Sequence, residues 1–449
     1  MTLRSELATL AGRSSYWFLH NFMGGGSSLP GKITTAIDPD VLQEIGKNYE
    51  VIIVSGTNGK TLTTALVVQV LKEKYDNIVT NKTGSNMVQG ITSTFLEAKR
   101  PTKGKKGIAV LEVDEANVKP IVEKIKPKMF VLTNIFRDQL DRYGEIYTTY
   151  QKILDGIKLA PDAVVLANGD EPIFHSKELP NPQVYYGFSN EPAKGDMKAA
   201  PNTDGILCPV CQHLLHYHYI VYANLGDYFC PNCGFQRPDL RFKVTDVSER
   251  TPKDSKFAID GNQYEIGVGG TYNIYNALAA YAVGREVGIQ PDQIRHAFDN
   301  NQRLFGRQEE INVEGKDVSI ILVKNPVGTN QVIDLLATEP DSFSFVGLLN
   351  AEYADGIDTS WIWDGEFERL PAMDIKQFET GGKRYKDITF RLKVAGVPDD
   401  KHTIQPDLGQ VIEDIKHMPT QKVYILATYT AMMEMRARLM KQGYIKGGK

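Results

Sequence analysis

The sequence predicts an α/β protein: a central domain on a mainly parallel sheet, a four-cysteine ribbon inserted into it, and a smaller C-terminal α/β domain. Three observations carry this. Compact apolar runs alternate with helical patterns from Tyr49 onward, as in βαβ units whose helices cover both faces of a sheet. Two Cys-x-x-Cys pairs interrupt that rhythm at about residues 201–238, and the alternation restarts near residue 307. With 449 residues the chain has room for two or three domains, each with its own core. The division expected is a short helical segment with a Gly-rich linker over 1–48, the central domain over 49–306 and the second α/β domain over 307–449.

In chain order, the stretch to about Phe22 reads as a short helix with an aromatic face, ending in the loop Gly24–Gly31. Strands are expected at Glu50–Val54, Ile108–Val113, Met129–Thr133 and Ala163–Ala167, each an apolar run of the buried kind. Helical patterns fall between them at Thr61–Glu73, Ala116–Lys124 and Ile146–Leu159. After the ribbon come helices at Tyr275–Val287 and Gln290–Asp299. The second domain reads as strands Ser319–Val323, Phe343–Leu348 and Val423–Ala427 with helices Asn330–Ala337, Arg384–Ala395 and Thr430–Gln442.

A net charge of −4 leaves no electrostatic footprint for nucleic acid. No apolar stretch reaches the roughly 20 residues that span a bilayer. Residues 1–23 carry Arg4, Glu6, Arg13 and His20 in place of a signal-peptide core, so a cytoplasmic protein is expected.

The chemistry is densest at Val51–Thr61. A strand-type run breaks into Gly56-Thr57-Asn58-Gly59, and Lys60-Thr61 opens a helical pattern. Backbone N–H groups and a helix N-terminus in that arrangement hold a polyphosphate, with Lys60 as cation and the Thr61 hydroxyl on Mg²⁺. Val54 stands where the general GxxxxGK[ST] loop has its first glycine, and the alternative is an ordinary βα turn. Glu112 ends another apolar strand and is suited to hold the magnesium. The competing reading, a helix N-cap cluster, suits Asp114 and Glu115. The charged run Thr133–Glu145 follows a third strand and is either an active-site loop or a charged turn.

The four cysteines, Cys208, Cys211, Cys230 and Cys233, have the spacing of a tetrahedral thiolate zinc site, with iron as the alternative and disulfides disfavoured in the cytosol. His213, His216 and His218 are then surface or packing residues, because four thiolates close the shell. No cysteine is left over as a nucleophile.

These motifs together resemble the Mur ligase family: GTNGKT after one strand, LEVDE after another, TNIFRDQLDRYG after a third, Gly270–Ala280 for its GxHNxxNAxAA helix and Leu304–Glu309 for its GRxE hinge. The resemblance implies ATP-dependent joining of an amine to a carboxylate through an acyl phosphate. It also implies that Gly56–Thr61 hold phosphate, that Glu112 and Thr61 serve Mg²⁺, that Asn273 and Asn276 lie near the adenine, and that Arg307 stands at the interdomain ATP face.

The departures are informative. Only residues 1–48 precede the phosphate-loop strand, where the family has a domain that grips a UDP-sugar. Gln139 replaces the loop histidine, and Leu154 stands where a carbamoylated lysine is expected, with Lys152 off that register. The ribbon, together with Asn350–Asp364 and Ala427–Met432, is similar to the ligase-like subunit of two-subunit enzymes that amidate lipid II. That implies conversion of the D-glutamate α-carboxylate of its stem peptide to an amide, with ammonia from a class-I, GatD-like glutaminase as heterodimer partner. Asp355 is either a turn residue or the orienting acid of the partner's Cys–His pair. Trp361 and Trp363 suit core or interface anchors. Lys324 either closes over the phosphates or is a solvated lysine. The alternatives are a folylpolyglutamate synthase-like ligase and a non-catalytic, ATP-binding zinc-ribbon scaffold.

Overall fold

A computed structural model describes residues 2–22, 28–81, 85–99, 101, 106–138, 145–189, 195–200, 203–300 and 309–445. Three helices open the chain, α1 (Leu3–Phe22), α2 (Leu29–Ile37) and α3 (Val41–Gly46). The βαβ series follows: β1 (Tyr49–Ser55), α4 (Lys60–Leu71), β2 (Ile78–Thr80), α5 (Val88–Glu97), β3 (Gly107–Glu112), α6 (Val118–Lys124), β4 (Met129–Leu132), α7 (Ile146–Ile157), β5 (Val164–Asn168) and β6 (Gln183–Phe188). The ribbon contributes a hairpin of β7 (His216–Tyr222) and β8 (Leu225–Phe229). An antiparallel meander, β9 (Phe242–Arg250), β10 (Ser255–Ile259) and β11 (Asn262–Ile266), leads into α8 (Thr271–Glu286) and α9 (Pro291–Asp299).

These strands form one sheet in the order β11-β10-β9-β6-β5-β4-β1-β3-β2, parallel from β2 to β9. Its central strands are buried on both faces, which is why they read as unbroken apolar runs. One face packs Leu66, Val67 and Val70 of α4 against Ala277, Leu278 and Ala280 of α8. The other carries Val118, Ile121 and Val122 of α6, Ile153 and Leu154 of α7 and Phe95 of α5. Leu154 is thus a core residue.

The loop expected over Gly24–Gly31 is shorter than that. Residues 23–27 lie outside the described residues, and Leu29 already begins α2, with Pro30 in the first turn where its missing N–H costs nothing. Gly31 belongs to a helix–helix contact: a Cβ there would fall 1.8 Å from the Gln89 carbonyl oxygen of α5. α1, α2 and α3 therefore form a helical layer beside α5, not a helix and a linker.

The second sheet begins with the hairpin β12 (Glu309–Val313) and β13 (Lys316–Leu322), followed by α10 (Pro326–Leu336), β14 (Phe343–Leu348), β15 (Ile375–Gly381), α11 (Tyr385–Val394), β16 (His402–Ile404), α12 (Leu408–His417), β17 (Lys422–Ala427) and α13 (Tyr429–Lys441). Its order is β12-β13-β17-β14-β15-β16, parallel apart from the β12–β13 hairpin.

One carboxyl in this second core is out of place. Glu379 of β15 is 0% exposed, and neither of its oxygens has a hydrogen-bond partner. Burial, with Asp414 adding to it, pushes its pKa up to about 8 from 4.5. The native state then holds a proton that the unfolded chain has lost, so stability falls as pH rises from 4.5 to about 8. The slope from one such group is at most about 1.4 kcal/mol per pH unit. Glu379→Met is expected to raise the unfolding temperature more at pH 8 than at pH 5, as followed by thermal denaturation. An equal gain at both would contradict a titrating Glu379.

Candidate active site at the interdomain face

The C-terminal ends of β1, β3 and β4 meet at the phosphate loop. Two glycines let the loop turn. Gly56 has φ +127° and Gly59 φ +83°, backbone that L side chains rarely adopt. Each is also packed: a Cβ would stand 2.4 Å from Thr133 Oγ1 at Gly56 and 2.2 Å from Asn276 Oδ1 at Gly59. The next residue, Lys60, begins α4, so the helix N-terminus opens on the loop. Val54 pairs with Glu112 across β1 and β3, which sets the Glu112 carboxylate beside the loop.

Lys60 is buried within a nest of acceptors. Its Nζ donates to the Gly56 carbonyl at 2.5 Å and lies 3.2 Å from Glu115 Oε2. Burial works against its charge, but Glu115 outweighs that with help from Glu112, Asp114 and Asp138, and the pKa lies above the ordinary lysine value. Burial holds Glu115 above the usual carboxylate range in spite of Lys60. Asp114 caps the following turn by accepting the Ala116 N–H at 3.1 Å. Glu115, expected in that cap cluster, instead faces Lys60.

The residues after β4 brace the loop. Thr57 N–H donates to the Asn134 carbonyl at 2.8 Å, and Asn58 N–H donates to Asn134 Oδ1 at 2.9 Å. Thr133 Oγ1 donates to the Asn58 carbonyl at 2.9 Å. On the other side, Thr63 of α4 donates to Asn276 Oδ1 at 3.0 Å, and Asn276 donates to Asn273 Oδ1 at 3.1 Å. Asn273 and Asn276 thus form a chain along α8 that ends at Gly59.

The second domain reaches the same loop. Lys324 Nζ, at the end of β13, donates to Asp138 Oδ2 at 2.5 Å and points to the Thr57 carbonyl at 3.4 Å, so it is not a solvated lysine. Asn325 caps α10 by accepting the Gly328 N–H at 2.8 Å and donates to Asn58 Oδ1 at 3.1 Å. The Arg137 guanidinium forms an ion pair with Asp364 and a longer one, 3.7 Å, with Asp204, whose Oδ2 also accepts the Arg137 backbone N–H at 3.0 Å. One side chain so links the β4 loop, the ribbon segment and the second domain. Asn134, Asp138 and Asn325 had a signal in the sequence, a polar residue just past the C-terminal end of a buried strand, but nothing there pairs them across the chain.

Two clefts flank these contacts. One, of about 320 Å³, lies between the domains among Tyr222, Arg250, Gly270, Thr271, Gln331 and Asp334. A smaller one is lined by Arg137, Asp138, Lys324, Asp355, Trp361 and Asp364. Asp355 is buried: Oδ1 accepts the Thr430 N–H at 2.7 Å, and Oδ2 accepts from Thr430 Oγ1 at 2.5 Å and Glu352 N–H at 2.9 Å. Around it Tyr353, Ile357 and Trp363 are exposed, with Trp363 edge-on to the exposed Phe390. Trp361 is half-buried against the second core. Arg307 and Gln139 lie outside the described residues.

The cysteines converge as their spacing predicts. The four Sγ atoms lie within 4.8 Å of one another, with 3.6 Å between Cys208 and Cys233 and 3.5 Å between Cys211 and Cys230. A tetrahedral thiolate shell around zinc needs about 3.8 Å between sulfurs, so the donor set fits the ion. Each pair forms the same turn, in which the residue after the second cysteine is left-handed: Gln212 at φ 63° and Gly234 at φ 76°. His216 bonds Asp196 and His218 stacks on Phe229, so neither joins the cluster. Arg237, just past the ribbon, donates to the buried Asp170 at 2.7 Å and fixes it to the β5 end.

Residues 54–224 match the family described as the Mur ligase middle domain, and residues 322–432 that described as the MurT ligase C-terminal domain. The chain is 50% identical over 447 residues to the MurT subunit of lipid II isoglutaminyl synthase (glutamine-hydrolysing) of Streptococcus pneumoniae, covering 99% of both. It is 35% identical over 379 residues to that of Staphylococcus aureus, covering 83% of this chain and 84% of the other. Among solved structures, a pseudomurein peptide ligase type C from Methanothermus fervidus superposes with TM-score 0.66 at 20% identity, over 90% of this chain and 81% of the other. The MurF ligase of Thermotoga maritima in complex with ADP does so with TM-score 0.61 at 16% identity, over 91% and 85%. At those identities the likeness is one of fold.

Proposed function

Because this chain belongs to the MurT family, we propose that it is the ligase subunit of a glutamine-hydrolysing lipid II isoglutaminyl synthase, an ATP-dependent enzyme that amidates the D-glutamate α-carboxylate of the lipid II stem peptide. The observation that carries the mechanism is the meeting of Lys60, Glu115 and the loop Gly56–Thr61 with Lys324 and Asn325 of the second domain.

In this reading the loop N–H groups, Lys60 and the α4 N-terminus bind the phosphates of ATP. Thr61 in the first turn of α4 and Glu112 at the end of β3 are hard oxygen donors, a set suited to Mg²⁺, which when bound offsets phosphate charge. The base and ribose occupy the cleft beside Gly270 and Thr271, at the start of the helix that carries Asn273 and Asn276. A substrate carboxylate oxygen attacks the γ-phosphorus and ADP leaves. Ammonia then adds to the acyl carbon and phosphate departs. Lys324 exchanges Asp138 for phosphate as the nucleotide enters, and the Arg137–Asp364 pair holds the domains closed so that water does not take the acyl phosphate. Cys208, Cys211, Cys230 and Cys233 would hold zinc, which would tie the two turns of the ribbon together.

Ammonia comes from a partner subunit, read here as a class-I glutaminase of the GatD type. The exposed Tyr353, Ile357, Trp363 and Phe390 beside Asp355 support a docking face, with Asp355 orienting the partner's Cys–His pair. The complex works at the inner face of the membrane, where a lipid-linked substrate is presented.

ADP release by the chain with its glutaminase is expected to need both a lipid-linked muropeptide and glutamine, and not to respond to nucleic acid. Equal release without the muropeptide, or with a folate-type glutamate acceptor, would contradict this reading.

A further inference from the structure

α1 is assembled inside out. The face it turns to α2 and α5 is made of small and polar residues, Ser5, Ala8, Thr9 and Gly12, with Leu19. Gly12 allows the closest approach: a Cβ there would stand 2.0 Å from Thr34 Oγ1 and 2.7 Å from Leu96 Cδ1. The large apolar side chains point the other way. Leu3, Leu7, Leu10, Trp17, Phe18 and Phe22 follow helical spacing along one side, and their exposure runs from 51% at Phe18 to 75% at Leu3. A helix that served only to cover the sheet would put those residues inward.

We infer that this face of α1 is the surface by which the protein lies on a lipid bilayer. The inference rests on the reading that the amidated carboxylate belongs to a lipid-linked substrate. Three observations select a bilayer as the occupant. The aromatic residues gather at one end, where Trp17 and Phe18 each pack on Phe22 with ring centroids 5.8 and 5.3 Å apart, the mixture of rings and leucines that suits a headgroup boundary. No acidic side chain lies within the stripe, and its margins carry Arg4, Arg13 and His20 against Glu6, a balance that favours an anionic leaflet. Two of those cations are anchored at the rim, Arg4 through the Ile37 carbonyl and Arg13 through the Ala98 carbonyl. No described helix is long and apolar enough to cross a membrane, so α1, roughly 30 Å long, lies along it.

This layer is also tied to the active site. Gly31 N–H of α2 donates to Ser93 of α5 at 2.8 Å, and the Asn86 carbonyl, just before α5, accepts from the Asp114 N–H at 3.4 Å. Docking through α1 therefore orients the phosphate loop relative to the bilayer.

The test compares the complex of the full chain and its glutaminase with the same complex carrying Leu7→Ser, Leu10→Ser, Trp17→Ser and Phe18→Ser. Both are floated with vesicles of phosphatidylcholine and phosphatidylglycerol at 3:1, as an order-of-magnitude choice that makes the surface anionic. The variant is expected to bind vesicles about a hundredfold more weakly or worse. Its kcat/KM on vesicle-embedded lipid II falls at least about tenfold, while that on a soluble stem peptide without the lipid is unchanged. A second variant, Leu10→Phe with Ser14→Phe, strengthens flotation. Three results would overturn the inference: wild-type complex that amidates but does not float, a variant equal to wild type on vesicle-borne lipid II, or a variant whose only change is loss of self-association in light scattering. A wild-type complex that amidates neither substrate would instead refute the enzymatic reading.

Discussion

Lys60→Met abolishes ATP turnover, with kcat lowered by about 10³-fold or more, because the phosphates lose the cation that neutralises developing charge. The structure adds a consequence for stability. Lys60 is buried with Glu115 as its ion-pair partner, and removal of one member of such a pair costs on the order of 3–5 kcal/mol. Glu115 already lies above the usual carboxylate range, so it takes up a proton and softens that cost. Lys60→Met with Glu115→Gln is therefore expected to recover much of the lost unfolding temperature and none of the activity. Calorimetry beside an ADP-release assay separates the two. Wild-type turnover in Lys60→Met would remove Lys60 from the phosphate site.

Asp355→Asn stops glutamine-driven amidation while sparing the reaction driven by ammonium salts. The expected loss with glutamine is about 10²-fold or more, by analogy with removal of the carboxylate that orients a catalytic histidine. The split matters because Asp355 also closes its own turn through the Glu352 N–H and ties it to Thr430 of α13 through two further hydrogen bonds. A purely structural role would depress both ammonia sources together. Unchanged glutamine hydrolysis by the Asp355→Asn complex would show that the partner completes its site alone.

The strands that position this site were legible because they are buried on both faces. Val51–Val54, Ile108–Leu111 and Met129–Leu132 are apolar without interruption, and the structure sets them side by side as β1, β3 and β4. Strands lying toward the sheet margin were not. β9 buries only Phe242 and Val244, with Lys243 between them and a mostly exposed run from Thr245 on, and β2 is three residues long, so neither shows an apolar run. α5, rich in Thr and Ser with Gly90 within it, carries little helical signal, yet packing on α2 holds it.

The site divides in the same way. Gly56–Thr61 is contiguous and announces itself. The residues that brace it are brought together only by folding: Asn134 beside Asn58, Asn276 against Gly59, and Asn325 from 267 positions away. The cysteines were readable because thiolate ligation needs short, fixed spacings. Asp355 stands out in the sequence only through the dense run Asp355–Asp364; its burial and three donors are properties of the fold.

The central claim is that this chain activates a stem-peptide carboxylate for amidation with nitrogen supplied by a partner. Mass spectrometry of lipid II treated with the chain, its glutaminase, ATP, Mg²⁺ and ¹⁵N-amide glutamine tests it most directly. The account predicts that each stem exchanges one carboxyl hydroxyl for one ¹⁵N-labelled amino group, and that fragmentation places the label on the α-carboxyl of D-glutamate. Unchanged lipid II in a mixture that releases ADP and hydrolyses glutamine, or a label on any other carboxyl, would contradict it.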